Sequence, residues 1–187
     1  MLVLISPPST ELEEKKIWLG NANSPLSESG RQMAEEFYYY DAWIKPNRLY
    51  ISSAEHIVEF SNIVFPDFPA IVLPELDDRS MGSLTGRPYK ETMDEFPRRN
   101  WLSWQRSYWT ASPDGESLFD ISDRVLTAFR SKILPIEDNE TVIVICAKDV
   151  MRLLIGFVTR TEETEIPKIS VEVSIPYIIN GSVVSPS

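Results

Sequence analysis

The chain has 187 residues and a net charge of −10, from 28 acidic and 18 basic side chains, which argues against nucleic acid and anionic membranes as partners. With 43% hydrophobic residues it can bury a substantial core, and one domain over 1–187 is expected. No apolar run nears the roughly 20 residues of a bilayer span, and the first one, 2–5, lacks the cationic flank of a signal peptide, so a cytoplasmic protein is expected; the single cysteine agrees with a reducing compartment.

In chain order, the first β-rich run is 2–5. The helix after Ser27 is expected to turn Met33, Ala34 and Phe37 to one side. Tyr38, Tyr39, Tyr40 and Trp43 follow as an aromatic group, read as a helix end packing on a sheet. Further β-rich runs lie at 49–52 and 70–73. A helix beginning near Glu116 repeats Leu118, Ile121, Val125, Phe129 and Ile133 at spacings of three and four, an amphipathic stripe. A further β-rich run lies at 142–146, with Asp149 capping a helix that faces Val150, Leu153, Leu154 and Phe157 inward. The charged stretch 161–168 reads as an exposed turn. Strands alternating with helices predict an α/β fold, a three-layer sandwich with a mainly parallel central sheet and helices on both faces. No repeat or linker divides the chain.

Four segments carry a family resemblance. They are Pro25-Leu26-Ser27-Glu28-Ser29-Gly30-Arg31-Gln32-Met33-Ala34; Leu76-Asp77-Asp78-Arg79-Ser80-Met81-Gly82 with Gly86, Tyr89 and Glu91; Pro113-Asp114-Gly115-Glu116-Ser117-Leu118 followed by Arg124-Val125; and Asn180-Gly181-Ser182. In this order they resemble the histidine phosphatase (phosphoglycerate mutase-like) superfamily. The resemblance implies a phosphohistidine mechanism, whose residues fall on this chain one at a time. The nucleophile motif Arg-His-Gly-x-Thr falls on Ser6-Pro7-Pro8-Ser9-Thr10, where only the threonine matches. Glu13 stands where the family often has a phosphate-contacting asparagine. The second phosphate-binding arginine, after Ser52-Ser53, falls on Ile57. The general acid falls on Asp78, and the second histidine falls on Ala147, between Cys146 and Lys148.

These departures act on one mechanism. The family's first histidine attacks phosphorus, while arginines and the second histidine neutralise the equatorial oxygens. Proline has no nucleophile, alanine has no donor, and losing one oxyanion donor alone costs on the order of 100-fold to 1000-fold. His56 is the chain's only histidine, so no shift in register supplies two. Asp78 is read as a leftover carboxyl bound to backbone or water.

Other residues invite an activity and have plainer readings. Cys146 and Arg152 have the Cys-x5-Arg spacing of cysteine phosphatases, but the residues between them include no glycine to turn N–H groups toward a phosphate. Cys146 is read as a buried small hydrophobe. His56 is expected to face solvent or cap its helix. Thr10, His56 and Asp78 are the ligand-binding candidates. One His and one Cys make no ligand-spaced metal cluster, and neither metal nor cofactor is expected.

The segment 96–109 combines Phe96, Trp101, Trp104, Tyr108 and Trp109 with Arg98, Arg99 and Arg106. Such a mixture suits an interface built on Trp101, Trp104, Arg106 and Trp109, or a helix face packing Trp101, Trp104 and Tyr108 onto the core. The functional expectation is an inactive family member that binds a protein partner, a second copy or a small molecule, with phosphorylated ligands disfavoured by its acidity. The alternative is an enzyme of altered chemistry using Asp78, His56 or Cys146.

Overall fold

A computed structural model describes residues 1–41, 44–180 and 183–186, with side chains left aside at 39–41, 180 and 183–186. In chain order its elements are β1 (Leu2–Ile5), α1 (Glu11–Glu14), α2 (Glu28–Asp41), β2 (Arg48–Ile51), α3 (Glu55–Val64), β3 (Ile71–Val72), α4 (Tyr89–Glu95), α5 (Arg98–Arg106), α6 (Leu118–Ala128), β4 (Val142–Ile145), α7 (Lys148–Thr159), β5 (Tyr177–Asn180) and β6 (Val183–Pro186). The strands form one sheet in the order β3-β2-β4-β1-β5-β6. The first four are mutually parallel, whereas β5 and β6 are antiparallel additions. The expected α/β sandwich with a mainly parallel sheet is the observed fold. Trp43, Gly181 and Ser182 lie outside the described residues, so the motif and aromatic readings placed on them have no structural counterpart.

Side chains alternate across the central strands, and each face meets its own helices. Val3, Ile5, Leu49, Ile51, Ile143 and Ile145 pack with α2 and α3 through Ala34, Phe37, Phe60 and Val64. Leu2, Leu4, Tyr50, Val142 and Val144 pack with α6 and α7 through Leu118, Ile121, Val125, Leu153 and Leu154. Both faces are covered, which is why these strands read as unbroken apolar runs. The stripe on α6 continues through a π-helical turn, 129–133, and all five of its predicted residues are buried.

Several local expectations need correction. Met33 is exposed, whereas Ala34 and Phe37 of α2 are buried. Asp149 does not cap α7; the N-cap is Ala147, without a side-chain bond, and Asp149 is engaged in ion pairs described below. The stretch 161–168 is not wholly exposed, since Ile166 and Pro167 are buried. Ile166 seats where a Cβ on Gly156 would come within 2.7 Å of it.

Three of the resembling segments form clamps. Gly30 N–H donates to Ser27 Oγ (3.0 Å), and Ser27 N–H and Oγ both donate to Ser9 O (3.0 and 3.1 Å). The start of α2 therefore holds the loop after β1. A Cβ at Gly30 would meet Ser9 O at 2.4 Å, so the fit requires glycine. Likewise Ser80 N–H donates to Glu116 Oε2 (2.8 Å), while Glu116 N–H donates to Ser80 O (2.8 Å). Gly82, at φ +55°, would collide with the Pro113–Gly115 backbone if it carried a side chain.

Candidate functional site

Ligands in open α/β sheets bind beyond the carboxyl ends of the strands, where the chain reverses direction across the sheet. A cavity of about 710 Å³ lies there, within the range of roughly 300–1,000 Å³ usual for ligand pockets, and it is lined by residues following β1, β2, β3 and β4. Its lining includes Ser6, Pro7, Glu13, His56, Ile57, Asp78 and Ala147. Every position to which the resemblance assigned a catalytic group therefore faces one space. Five basic and five acidic side chains line it among the described residues, so its formal charge balances.

After β1, Pro7 and Pro8 are buried and supply no N–H. Thr10 is fully buried, and it caps α1 rather than presenting its hydroxyl to the cavity. Glu13 N–H donates to Thr10 Oγ1 (3.3 Å), and Thr10 N–H donates to Glu13 Oε2 (2.9 Å), a reciprocal capping box. Glu13 thus has a structural task where the resemblance placed a phosphate contact.

After β2, Ile57 is buried in the core beneath α2 and α3, so the guanidinium expected of the family is replaced by packing. Ser53 N–H and Oγ both donate to the Asp77 carboxylate (2.6 Å each). His56 is neither exposed nor a cap: its side chain is 7% exposed, it lines the cavity, and Nδ1 has no partner among the described residues. Burial lowers its pKa, with Glu13 and Glu59 acting in the opposite direction. This corrects the expectation of a solvent-facing histidine.

The densest chemistry joins β3, α5 and α7. Arg79 is buried; its Nε donates to Asp149 Oδ2 (2.7 Å) and its Nη1 to Trp104 O (2.8 Å). The other Asp149 oxygen accepts from Arg152 Nη1 (2.6 Å), whose Nε donates to Ile169 O (3.0 Å). Asp78 Oδ1 accepts only from Arg79 N–H (2.8 Å). Burial, then the nearby Asp149 carboxylate, push its pKa up to about 7. Arg124 is committed to the carbonyls of Glu75 (2.8 Å), Asp77 (2.7 Å) and Asp78 (3.2 Å). Arg106 and Lys148 are the cavity cations without a partner among the described residues.

Cys146 is fully buried, and burial pushes its thiol pKa far up, so no thiolate is available to Arg152. The aromatic segment divides. Trp101 and Trp104 are buried with Trp18, Met81 and Leu84, with ring centroids of Trp18 and Trp101 4.7 Å apart. Trp18 Nε1 donates to Thr92 Oγ1 (2.9 Å). These two tryptophans are removed from any interface, because they fill a core between α4, α5 and the loop after α1. Trp109 (52% exposed) and Arg106 stay on the surface. No group of three or more His, Cys, Asp or Glu suited to a metal occurs among the described residues. No helix among them is long and apolar enough to cross a membrane.

Sequence reasoning missed Arg79 as a site residue. Its signal was an arginine beside two aspartates inside a glycine-punctuated run, a place where a cation is buried only against a partner. That partner, Asp149, lies 70 residues away.

The comparisons agree with this architecture. A 2,3-bisphosphoglycerate-dependent phosphoglycerate mutase of Chlamydia pneumoniae is 33% identical over 104 residues, covering 55% of this chain and 46% of that protein. The chain thus spans about half the length of the curated relatives it matches. Among solved structures, YhfR of Bacillus stearothermophilus superposes with a TM-score of 0.84 at 20% identity, covering 100% of this chain and 94% of that one. A mycobacterial glucosyl-3-phosphoglycerate phosphatase superposes with a TM-score of 0.82 at 17% identity, covering 94% and 90%. At these identities the superpositions establish shared fold. The model of the histidine phosphatase superfamily, branch 1, matches residues 3–178, and the chain belongs to that family.

Proposed function

We propose that this chain is a histidine phosphatase-like domain without phosphoryl transfer, acting by binding as a scaffold or regulatory component, in one cytoplasmic domain over 1–187. The observation that carries the reading is the pair Pro7 and Ala147 on the cavity wall, at the ends of β1 and β4. A phosphohistidine mechanism needs a nucleophilic imidazole at the first position and a donor at the second. The only imidazole, His56, has no serine or cysteine partner and is held neutral by burial. With Arg79 and Arg152 tied to Asp149 and Arg124 held by backbone carbonyls, Arg106 and Lys148 are the lining cations left to face five carboxylates among the described residues, a balance that supports the expectation that phosphorylated ligands bind poorly. A protein partner or second copy would meet Arg106 and Trp109, the two surface members of the aromatic segment.

The test is turnover. Purified protein should release no phosphate from p-nitrophenyl phosphate or sugar phosphates above background, and should form no phosphohistidine. Pro7→His alone should not revive activity, since Ile57 and Ala147 remain. Turnover that persists through purification and vanishes in Asp78→Asn would overturn the reading. That outcome would favour the second reading, altered chemistry, which one observation supports: a carboxyl titrating near 7 in the cavity can hold a proton at neutral pH and deliver it as a general acid.

A further inference from the structure

We propose, resting on the binding reading above, that the outer face of α5 docks an acidic segment of a partner protein, one that presents carboxylates on either side of an apolar side chain.

The helix has two unlike faces. Trp101 and Trp104 are buried with Trp18, Met81 and Leu84, and Trp104 O accepts from Arg79, so one side is fixed to the protein. On the other side Arg98, Leu102 and Arg106 follow one another at spacings of four, which stacks them in one stripe along the helix. Arg99 flanks the stripe at its start. The three arginines are exposed, and Leu102 between them is 40% exposed. Trp109, itself exposed, follows just beyond the helix end.

The charges of the stripe are unpaired. Arg31, Arg48, Arg79, Arg87, Arg124 and Arg152 each meet a carboxylate. Arg98, Arg99 and Arg106 meet none among the described residues, although the chain carries 28 acidic side chains against 18 basic ones. α5 itself holds no acidic residue. Arg98 and Arg99 also stand in its first turn, where the helix dipole disfavours cations, so they do not stabilise the helix that carries them. Cations left unpaired together on one face of an acidic molecule fit carboxylates brought from outside.

The surroundings select the partner. A nucleic acid or an anionic membrane extends its charge well beyond one helix of nine residues and would meet the acidic remainder of a chain of net charge −10. A polyphosphate also has no apolar group to bury against Leu102. A peptide helix with Glu, Leu and Glu at spacings of four matches the stripe, acid to arginine and apolar to apolar. Arg106 also lines the cavity, so a segment paired with it lies beside the cavity mouth.

The full chain would be titrated, by fluorescence anisotropy, into a dye-labelled alanine-based peptide of about 20 residues, long enough to form helix in water, that carries Glu, Leu and Glu at spacings of four. Matched peptides replace both Glu by Lys, or Leu by Ser, and a single-stranded DNA oligomer stands for polyanions in general. Saturable binding of the acidic peptide is expected, with a Kd below about 100 μM at low salt. The Lys peptide should not bind, and the Ser peptide should bind about fivefold more weakly. Arg98→Glu combined with Arg106→Glu should weaken binding about tenfold or more with melting temperature retained, since both side chains are exposed. If that double variant does not fold, Leu102→Asp decides by the same loss. Absence of saturation up to about 1 mM, equal binding by the charge-reversed chain, or tighter binding of the DNA overturns the inference. Each of these leaves the loss of phosphoryl transfer standing, because turnover is measured apart from the titration.

Discussion

Arg48 and Arg79 hold opposite ends of the strands and solve the same problem differently. Arg48, at the start of β2, makes two bonds to Glu140 (2.6 and 2.8 Å) and further bonds to Tyr50 Oη, Ile133 O and Pro135 O. Its guanidinium is saturated, and it holds the Glu140 carboxyl below the usual range. Arg79, by the cavity, shares a single carboxylate with Arg152 while Asp78 beside it is left to titrate near 7. One end is a closed seam; the other is a charge cluster left incomplete where the fold opens. Residual polarity of that kind suits a binding site and costs stability.

Four measurements sharpen the contrast. The largest effect is expected for Trp104→Ala, which should destabilise the monomer by about 3–5 kcal/mol in denaturant unfolding, as removal of a core aromatic does. Weakened self-association with unchanged stability would instead restore the interface reading. Arg79→Met should cost about 3 kcal/mol, because it leaves Asp149 buried with one partner and unties Trp104 O. Arg48→Met should cost less, about 1–2 kcal/mol, since Arg48 and Glu140 are more open to water and Glu140 can be hydrated. Equal losses would break the comparison.

The smallest effect concerns pH. A carboxyl whose folded pKa is raised loses stability as pH climbs from the unfolded value, near 4, to the folded one, near 7. The slope is at most about 1.4 kcal/mol per pH unit. His56, with a lowered folded pKa, gives the opposite trend below its unfolded value of 6.5. Asp78→Asn isolates the first contribution: melting temperatures should show the variant gaining on wild type as pH rises from 5 to 8. A constant difference across that range would show that Asp78 is ionised throughout.

Much of the fold was legible because both faces of the sheet are buried. Runs such as Val142–Ile145 and the stripe on α6 signal strand and helix through period and composition alone. The site was legible only as a set of positions. That Pro7, Ile57, Asp78 and Ala147 face one cavity followed from family order, but the local pattern around His56 gave no sign of its burial. Trp101 and Trp104 misled as interface residues because composition cannot distinguish an exposed aromatic cluster from a second small core. Trp18, which completes that core, lies 83 residues before Trp101. Asp149 misled for a related reason: cap residues are local signals, and a partner distant in sequence outcompeted the cap.

The outer edge of the sheet has a consequence for how molecules of this chain meet one another. β3 is an edge strand of two residues, Ile71 and Val72, both 47% exposed. Exposed apolar edges ordinarily recruit other strands into continuing sheets. Here Pro69 and Pro74 stand on either side of the pair, and proline contributes no N–H to a ladder. An incoming strand would find a docking length of a few residues before its hydrogen-bond register ran out. The chain thus carries a built-in terminator against edge-to-edge polymerisation through this strand.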